Sequence, residues 1–600
     1  LEVTTLKIAI AQVPSANGDL GLAAERIKAY CSRAAEGGAE LCVFPANVIA
    51  PAVPVATPDR EGLLVDMAQL CSRLAGELAC PAIVPAALPG SDDPVLEAVQ
   101  IGPDGVAPLR LLGALAQATA DDSGDEAAGL SLPQVEAGDL TLGIAFTYEE
   151  LEEYVDYDYH VDAVLFLSTY GFATDDAASA LGASILESRF RADADAMGAW
   201  IVAVGPVGRS DLEVFCGASF VAAPWGELAC QAPSFEEALV FADVRRGEEG
   251  PLKEAVSPQV FDPSIMAWEA VAEGTRGIVS SLGKTSARMV VDGGMPSMLA
   301  CAVATDALGP VNVRPTVLLW GDGRDELSRA LVRNLRLEAS ELVASELFGE
   351  GDEELARDVA WARVCAEARR DGSAVLGSSD KTSLALGSAP ARDLGCVLPF
   401  GDLYRSDVLA LARLRNTVSP VIPGAARSSW PLEDVASLAG RGSAERRLEQ
   451  VDFVISSFVE WELPLSDIAS ECENEELARA VVALVRSSLS SLPGRLLAPT
   501  LSSKTLDEAR GPFGLSWRDR VRAKDERIDR DAMAAEIAQA FGDSGEKGSE
   551  ADSPQEALDL LGMLGGSDEP GEAPSPGGRH DRGGHPGPQG FFWGGPFSEN

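Results

Sequence analysis

The chain has 600 residues and carries 48 Lys+Arg against 93 Asp+Glu, a formal net charge of −45. Hydrophobic residues at 46% and charged residues at 24% are ordinary for globular protein, and the length suits two or three domains. Such acidity repels phosphates, which excludes nucleic acid and anionic membrane as main partners.

Three scarcities narrow the chemistry. Only His160, His580 and His585 are present, and the last two lie in a Gly/Pro-rich stretch, so metal sites built on several histidines are excluded. Eight lysines stand against forty arginines, with none between Lys28 and Lys253. The ten cysteines never form a CxxC and read as reduced, mostly buried thiols of a cytoplasmic protein. No basic-then-apolar segment opens the chain, and no apolar run reaches the length of a membrane span.

Residues 1–245 alternate short apolar runs with helical stretches. Residues 6–13 (LKIAIAQV) read as a buried strand, and 20–37 as an amphipathic helix with Leu22, Ile27 and Ala34 on its apolar side. Further strands are expected at 41–44, 82–85, 142–146, 163–167, 200–204 and 219–222, with a helix at 177–198. Strands alternating with helices give an α/β class. Residues 246–264, rich in Pro, Gly and acid, read as a linker. A second α/β pattern fills 265–525, with strands at 288–291, 313–319 and 373–376, a helix ending near Leu308, and mainly helices from 425. Residues 526–600 are acidic and Gly/Pro-rich and read as disordered; their two apolar islands at 557–564 and 591–593 read as incidental hydrophobes, with docking motifs for a partner as the alternative.

The first half carries an ordered series of motifs. Residues 7–19 (KIAIAQVPSANGD), 38–45 (GAELCVFP), 143–149 (GIAFTYE), 160–170, 188–208 and 215–228 (FCGASFVAAPWGEL) together resemble the nitrilase superfamily. In the second half, residues 289–299 (MVVDGGMPSML), 307–313 (ALGPVNV), 375–387 (VLGSSDKTSLALG) and above all 399–413 (PFGDLYRSDVLALAR) resemble an ATP pyrophosphatase domain. A nitrilase-like domain followed by such a domain is the layout of the glutamine-dependent NAD synthetase family. The resemblance implies a nitrilase-type α-β-β-α sandwich followed by a Rossmann-like, adenine nucleotide α-hydrolase-like domain. It also implies ATP-dependent amidation of deamido-NAD with Mg²⁺, using ammonia drawn from glutamine.

The residues depart from that chemistry. Amide hydrolysis of the nitrilase type needs a Glu base, a Lys and a Cys nucleophile. Those positions fall at Ala46, Leu112 and Thr147. In the second half the family's metal-ligand positions fall at Pro296 and Ser383, neither a carboxylate, and the first Ser of its phosphate loop is Asp292. Gly293, Gly294, Ser297, Lys381 and Asp402 persist as nucleotide-binding candidates. Lys381 and Asp402 also suit a structural ion pair, and Asp292 suits recruitment of a cation. The expectation is a homologue with both active sites lost. It would serve as a scaffold or regulatory subunit, forming a homo-oligomer or a hetero-oligomer with a catalytic paralogue. An active synthetase with rearranged ligands and a non-hydrolysing sensor of ATP, NAD or deamido-NAD are the alternatives.

Overall fold

The computed structural model describes residues 4–51, 59–88, 95–111, 133–156, 160–175, 181, 189–247, 250–259, 262–348, 352–424, 433–440, 442–511 and 517–522. Leu112, His580, His585, the apolar islands and everything else beyond 522 lie outside these residues.

Strands β1 (Thr4–Gln12), β2 (Leu41–Val43), β3 (Ala82–Leu88), β4 (Val95–Gly102) and β5 (Gly105–Pro108) build one sheet, and β14 (Ala238–Arg246) closes its other edge. Its order is β14-β1-β2-β3-β4-β5. A second sheet contains β6 (Gln134–Ala137), β7 (Leu140–Ala145), β8 (Ala163–Leu167), β9 (Trp200–Val204), β12 (Phe220–Ala222) and β13 (Leu228–Gln231), in the order β13-β12-β9-β8-β7-β6. Between β9 and β12 lies the separate hairpin β10 (Val207–Ser210) and β11 (Glu213–Cys216).

Side-chain alternation explains the layering. Ile8 and Ile10 of β1 meet Leu142, Ile144, Leu165 and Val202 in the space between the sheets. Their neighbours Ala9 and Ala11 face outward onto helices Leu20–Glu36 and Arg60–Leu74. Val164, Phe166 and Ile201 likewise turn to helices Tyr148–Asp156 and Arg189–Met197. Central strands apolar on both faces have both faces covered, and the result is an α-β-β-α sandwich. Gln12 ends β1 fully buried and uses its whole amide: Nε2 donates to the carbonyls of Pro233 (2.7 Å) and Glu236 (2.8 Å), and Oε1 accepts from the Ser219 N–H (2.9 Å) and hydroxyl (2.8 Å). One helix expectation is corrected here. Ile27 and Ala34 are buried, but Leu22 is 42% exposed, because Ala23 takes the inward place in the first turn.

The second half opens with helix Pro263–Ser281, whose start is set by Asp262 accepting from the Ser264 and Ile265 N–H groups and by Pro263 in the first turn. Strands β15 (Ala287–Val291), β16 (Val313–Leu319), β17 (Ser340–Val343) and β18 (Ala374–Val375) form a parallel sheet in the order β17-β16-β15-β18. Helix Met295–Leu308 follows β15 and is buried on nearly every side, which its apolar sequence requires. The chain leaves β15 toward β16 and β17 on one side and later returns as β18 on the other. That makes the β15/β18 junction a topological switch point, where open α/β sheets hold ligands.

The halves are not independent beads. Phe172, Val214 and Cys216 of the first half share a buried cluster with Met266, Ala270 and Leu501 of the second. Thr174 hydrogen-bonds the Leu501 carbonyl (2.8 Å), and Ser503 donates to Asp175 through both N–H (2.8 Å) and hydroxyl (2.6 Å). No helix among the described residues is long and apolar enough to cross a membrane. All ten cysteines are free thiols, eight of them buried.

Candidate functional site

In the first half the residues expected at the catalytic positions, Ala46 and Thr147, carry other tasks. Ala46, after β2, is buried in the apolar layer between the sheets, in the same cluster as Phe146. A methyl group there accepts no proton. Thr147 stands at the entry of helix Tyr148–Asp156, where its hydroxyl accepts from the Glu150 N–H (3.3 Å) and its carbonyl from the Leu151 N–H (3.1 Å). This is capping work. Glu150 returns a bond to the Phe146 N–H (2.6 Å) and ion-pairs with Arg110 (2.6 Å). Arg110 lies 5.4 Å over the Phe146 ring and donates to the Leu96 carbonyl (2.9 Å). A search for lysine misses this cation, which stands two residues from Leu112. Asn47, beside Ala46, is 1% exposed, and neither atom of its amide has a hydrogen-bond partner among the described residues.

The second half holds a cleft of about 1090 Å³ at the carboxyl ends of β15, β16 and β18. Asp292, Gly293, Gly294, Pro296, Ser297 and Ser383 all line it. The turn requires glycine: Gly293 has φ of 82°, and a Cβ there would lie 2.6 Å from the Cβ of Arg324. Gly294 then caps helix Met295–Leu308, with Pro296 in its first turn, where the missing N–H costs the helix nothing but removes a donor from the loop.

Asp292 is the most heavily engaged residue of the loop. Its Oδ1 accepts from the Gly294 N–H (3.1 Å) and the Ser297 hydroxyl (2.6 Å), and its Oδ2 from Arg357 Nε (2.9 Å). Burial works to raise its pKa, but the Ser297 hydroxyl and the Arg357 charge outweigh burial and hold the carboxyl below the ordinary carboxylate range. The cation that Asp292 recruits is therefore a guanidinium of its own chain. Arg357 and Arg324 lie 4.9 and 4.5 Å from the centre of the Trp320 ring, whose indole N–H donates to the Asp292 carbonyl (2.8 Å).

The other arginines of the lining are also paired: Arg324 with Asp322 and Glu353, Arg392 with Glu354 and Asp358, and Arg405 with Asp380. Asp393 fixes the opposite wall by accepting from the N–H groups of Ser378 and Ser379, each at 3.0 Å. None of Trp320, Arg324, Arg357, Arg392, Asp393 or Arg405 was legible as a site residue. Arg357 lies 65 positions from Asp292, and no local pattern links them.

Ser383 lines the cleft, but its hydroxyl accepts from the Asp380 N–H (3.1 Å) while Asp380 Oδ1 accepts from the Ser383 N–H (2.8 Å). The pair is a reciprocal cap on the short helix Lys381–Ala385. The residues present do not fit a magnesium ion. Pro296 and Ser383 offer no carboxylate, Asp292 is committed to Arg357, and no group of three or more His, Cys, Asp or Glu among the described residues is arranged to hold a metal.

Neither Lys381 nor Asp402 lines the cleft. Lys381 is fully buried. Its ammonium meets Asp402 Oδ1 (2.9 Å), Glu460 Oε1 (2.6 Å), the Ser502 hydroxyl (2.6 Å) and the Lys504 carbonyl (2.7 Å). Asp402 Oδ2 accepts from the N–H groups of Leu501 (2.8 Å) and Ser502 (2.9 Å). The structural ion pair is the arrangement seen. Burial alone would lower Lys381, but the two carboxylates outweigh it and raise the ammonium above the usual lysine value. Burial pushes Glu460 up to about 7 against the pull of Lys381, and pushes nearby Asp452 up to about 7 as well.

Comparison with known proteins agrees with both halves. The carbon-nitrogen hydrolase family profile matches residues 179–254. The chain is 30% identical over 318 residues to the glutamine-dependent NAD(+) synthetase of Xanthomonas campestris, covering 48% of this chain and 57% of that one. It is 25% identical over 342 residues to the enzyme of that name from Acinetobacter baylyi, covering 53% and 63%. The matched stretch thus spans less than two thirds of either relative. Two solved structures share the fold. The glutamine-dependent NAD+ synthetase of Acinetobacter baumannii, in complex with ADP, aligns at TM-score 0.57 and 20% identity over 86% of this chain and 100% of that one. The one from Cytophaga hutchinsonii aligns at TM-score 0.61 and 11% identity over 86% and 98%.

Proposed function

We propose that this chain, which belongs to the glutamine-dependent NAD synthetase family, is a non-catalytic member of it. It would act as a scaffold or regulatory subunit in the cytoplasm, joining copies of itself or a catalytic paralogue. The observation that carries this reading is the lining of the second-half cleft. Pro296 and Ser383 stand at the family's metal-ligand positions and bring no carboxylate to it. The first half supports the same reading, since Ala46 supplies no base and the Thr147 hydroxyl caps a helix. Without base and nucleophile, amide hydrolysis by the family's route has no first step.

A second reading is favoured by the cleft itself. Its volume of about 1090 Å³ lies at the upper end of sites for small organic ligands. A sensor that holds an adenine nucleotide or deamido-NAD without turnover fits that space. The test is NAD formation followed by mass spectrometry. Purified full chain is given deamido-NAD, Mg-ATP and either glutamine or ammonium, beside a working synthetase. The expected result is no product from either nitrogen source. Product with ammonium alone would overturn the reading for the second half, and product with glutamine would overturn it for both.

A further inference from the structure

Glycine loops at helix N-termini hold anions by donating backbone N–H groups and nearby hydroxyls to an anionic oxygen. In this loop the oxygen is already supplied. Asp292 Oδ1 takes the Gly294 N–H and the Ser297 hydroxyl, and Oδ2 takes Arg357 Nε. The two terminal nitrogens of Arg357 also meet Glu354 (2.6 Å) and Glu353 (3.1 Å). Arg324, Arg392 and Arg405, the other guanidiniums of the cleft wall, are each paired with carboxylates of the same chain. Pro296 offers no N–H at all. The cleft is therefore nucleotide-sized, while its four wall guanidiniums, the Gly294 N–H and the Ser297 hydroxyl already meet carboxylates of the same chain.

We propose that Asp292 is a built-in phosphate surrogate, an autoinhibitory contact that keeps the glycine loop closed to phosphate-bearing ligands. A pyrophosphate group enters only by displacing this carboxylate from Gly294 and Ser297 and by taking Arg357 for itself. The proposal rests on reading residues 292–297 as the counterpart of the family's phosphate loop. It goes beyond that reading by naming what occupies the loop and what its removal would admit.

The test uses the full-length chain as wild type, Asp292→Ser and Asp292→Asn, with inorganic pyrophosphate titrated by calorimetry. Ser removes the charge and returns a hydroxyl. Asn keeps the size and one acceptor oxygen while removing the charge. Far-ultraviolet circular dichroism checks that each variant folds. Wild type is expected to bind pyrophosphate at millimolar strength or weaker. Both variants are expected to bind it at least tenfold more tightly, with Asp292→Ser the tighter. Micromolar binding by wild type would overturn the proposal without any variant. Folded variants that bind no more tightly than wild type would overturn it as well. Adenosine, titrated in parallel, separates the layers. Adenosine binding with no gain in pyrophosphate affinity would refute the role of Asp292 and leave the non-catalytic reading standing. NAD formation by wild type would refute that reading instead.

Discussion

Replacing Lys381 by methionine tests whether this lysine is a strut or a ligand contact. The ammonium is fully buried and bridges Asp402 and Glu460, with Ser502 and the Lys504 carbonyl completing its shell. Lys381→Met keeps most of the volume and removes the charge. Two buried carboxylates then lose their counter-ion, and Asp402 also organises the segment at Leu501 and Ser502. Breaking a buried ion pair from one side typically costs about 3–5 kcal/mol. Urea unfolding at pH 8, followed by circular dichroism, should show a loss of that order. The deficit should shrink at pH 5.5, because Glu460, pushed up to about 7 by burial, is then protonated and has no charge to lose a partner for. A loss below about 1 kcal/mol at pH 8, together with abolished nucleotide binding, would refute the structural role.

Three further outcomes follow from the same geometry. Asp452 and Glu460 are both raised to about 7 in the folded chain, so the native state holds protons that the unfolded state releases between pH 4 and 7; stability should fall by roughly 3–4 kcal/mol per group as pH rises through that window, and Asp452→Asn should flatten the slope in pH-dependent urea melts. A slope that is unchanged in Asp452→Asn would contradict the assignment. Gly293→Ala forces an L side chain into φ of 82° against Arg324 and should cost about 1–3 kcal/mol, read as a lowered melting temperature; an unchanged melt would mean the loop can rearrange freely. Asn47→Leu removes a buried amide with no described partner and should raise stability by about 1–3 kcal/mol, whereas a loss would reveal a partner for that amide.

How much of this was legible depended on whether the signal was local. The core strands β1, β8, β9 and β16 are apolar on both faces, so their runs stood out, and β8 and β9 match the expected 163–167 and 200–204. The edges did not. β14 (ALVFADVRR) pairs with β1 along its full length, yet its charged residues blur any pattern, and the short hairpin β10/β11 has too few residues to show one. Helix Pro263–Ser281 was masked from the other direction, because its leading Pro263 read as the end of a linker when it is the first turn of a helix capped by Asp262. Of the expected helix at 177–198, Arg189–Met197 is seen, and most of the rest lies outside the described residues.

At the site, residue identity was readable and direction was not. That Ala46, Thr147, Pro296 and Ser383 bring no base, thiol or carboxylate is plain in the sequence, since a missing functional group needs no geometry to be noticed. That Lys381 turns inward to Asp402 and Glu460 was one of two open readings, and a motif alone does not choose between them. The pairing of Asp292 with Arg357 is a long-range contact between a loop and the helix Glu353–Asp371, which only the folded chain brings together.

The most direct test of the central claim is the mass-spectrometric assay for NAD from deamido-NAD and Mg-ATP, run with ammonium as nitrogen source. Ammonium bypasses the first half and asks only whether the Asp292–Ser297 loop and its cleft can activate a carboxylate. No NAD and no AMP above background are expected while a working synthetase makes both. NAD formed at a rate proportional to the concentration of this chain would contradict it.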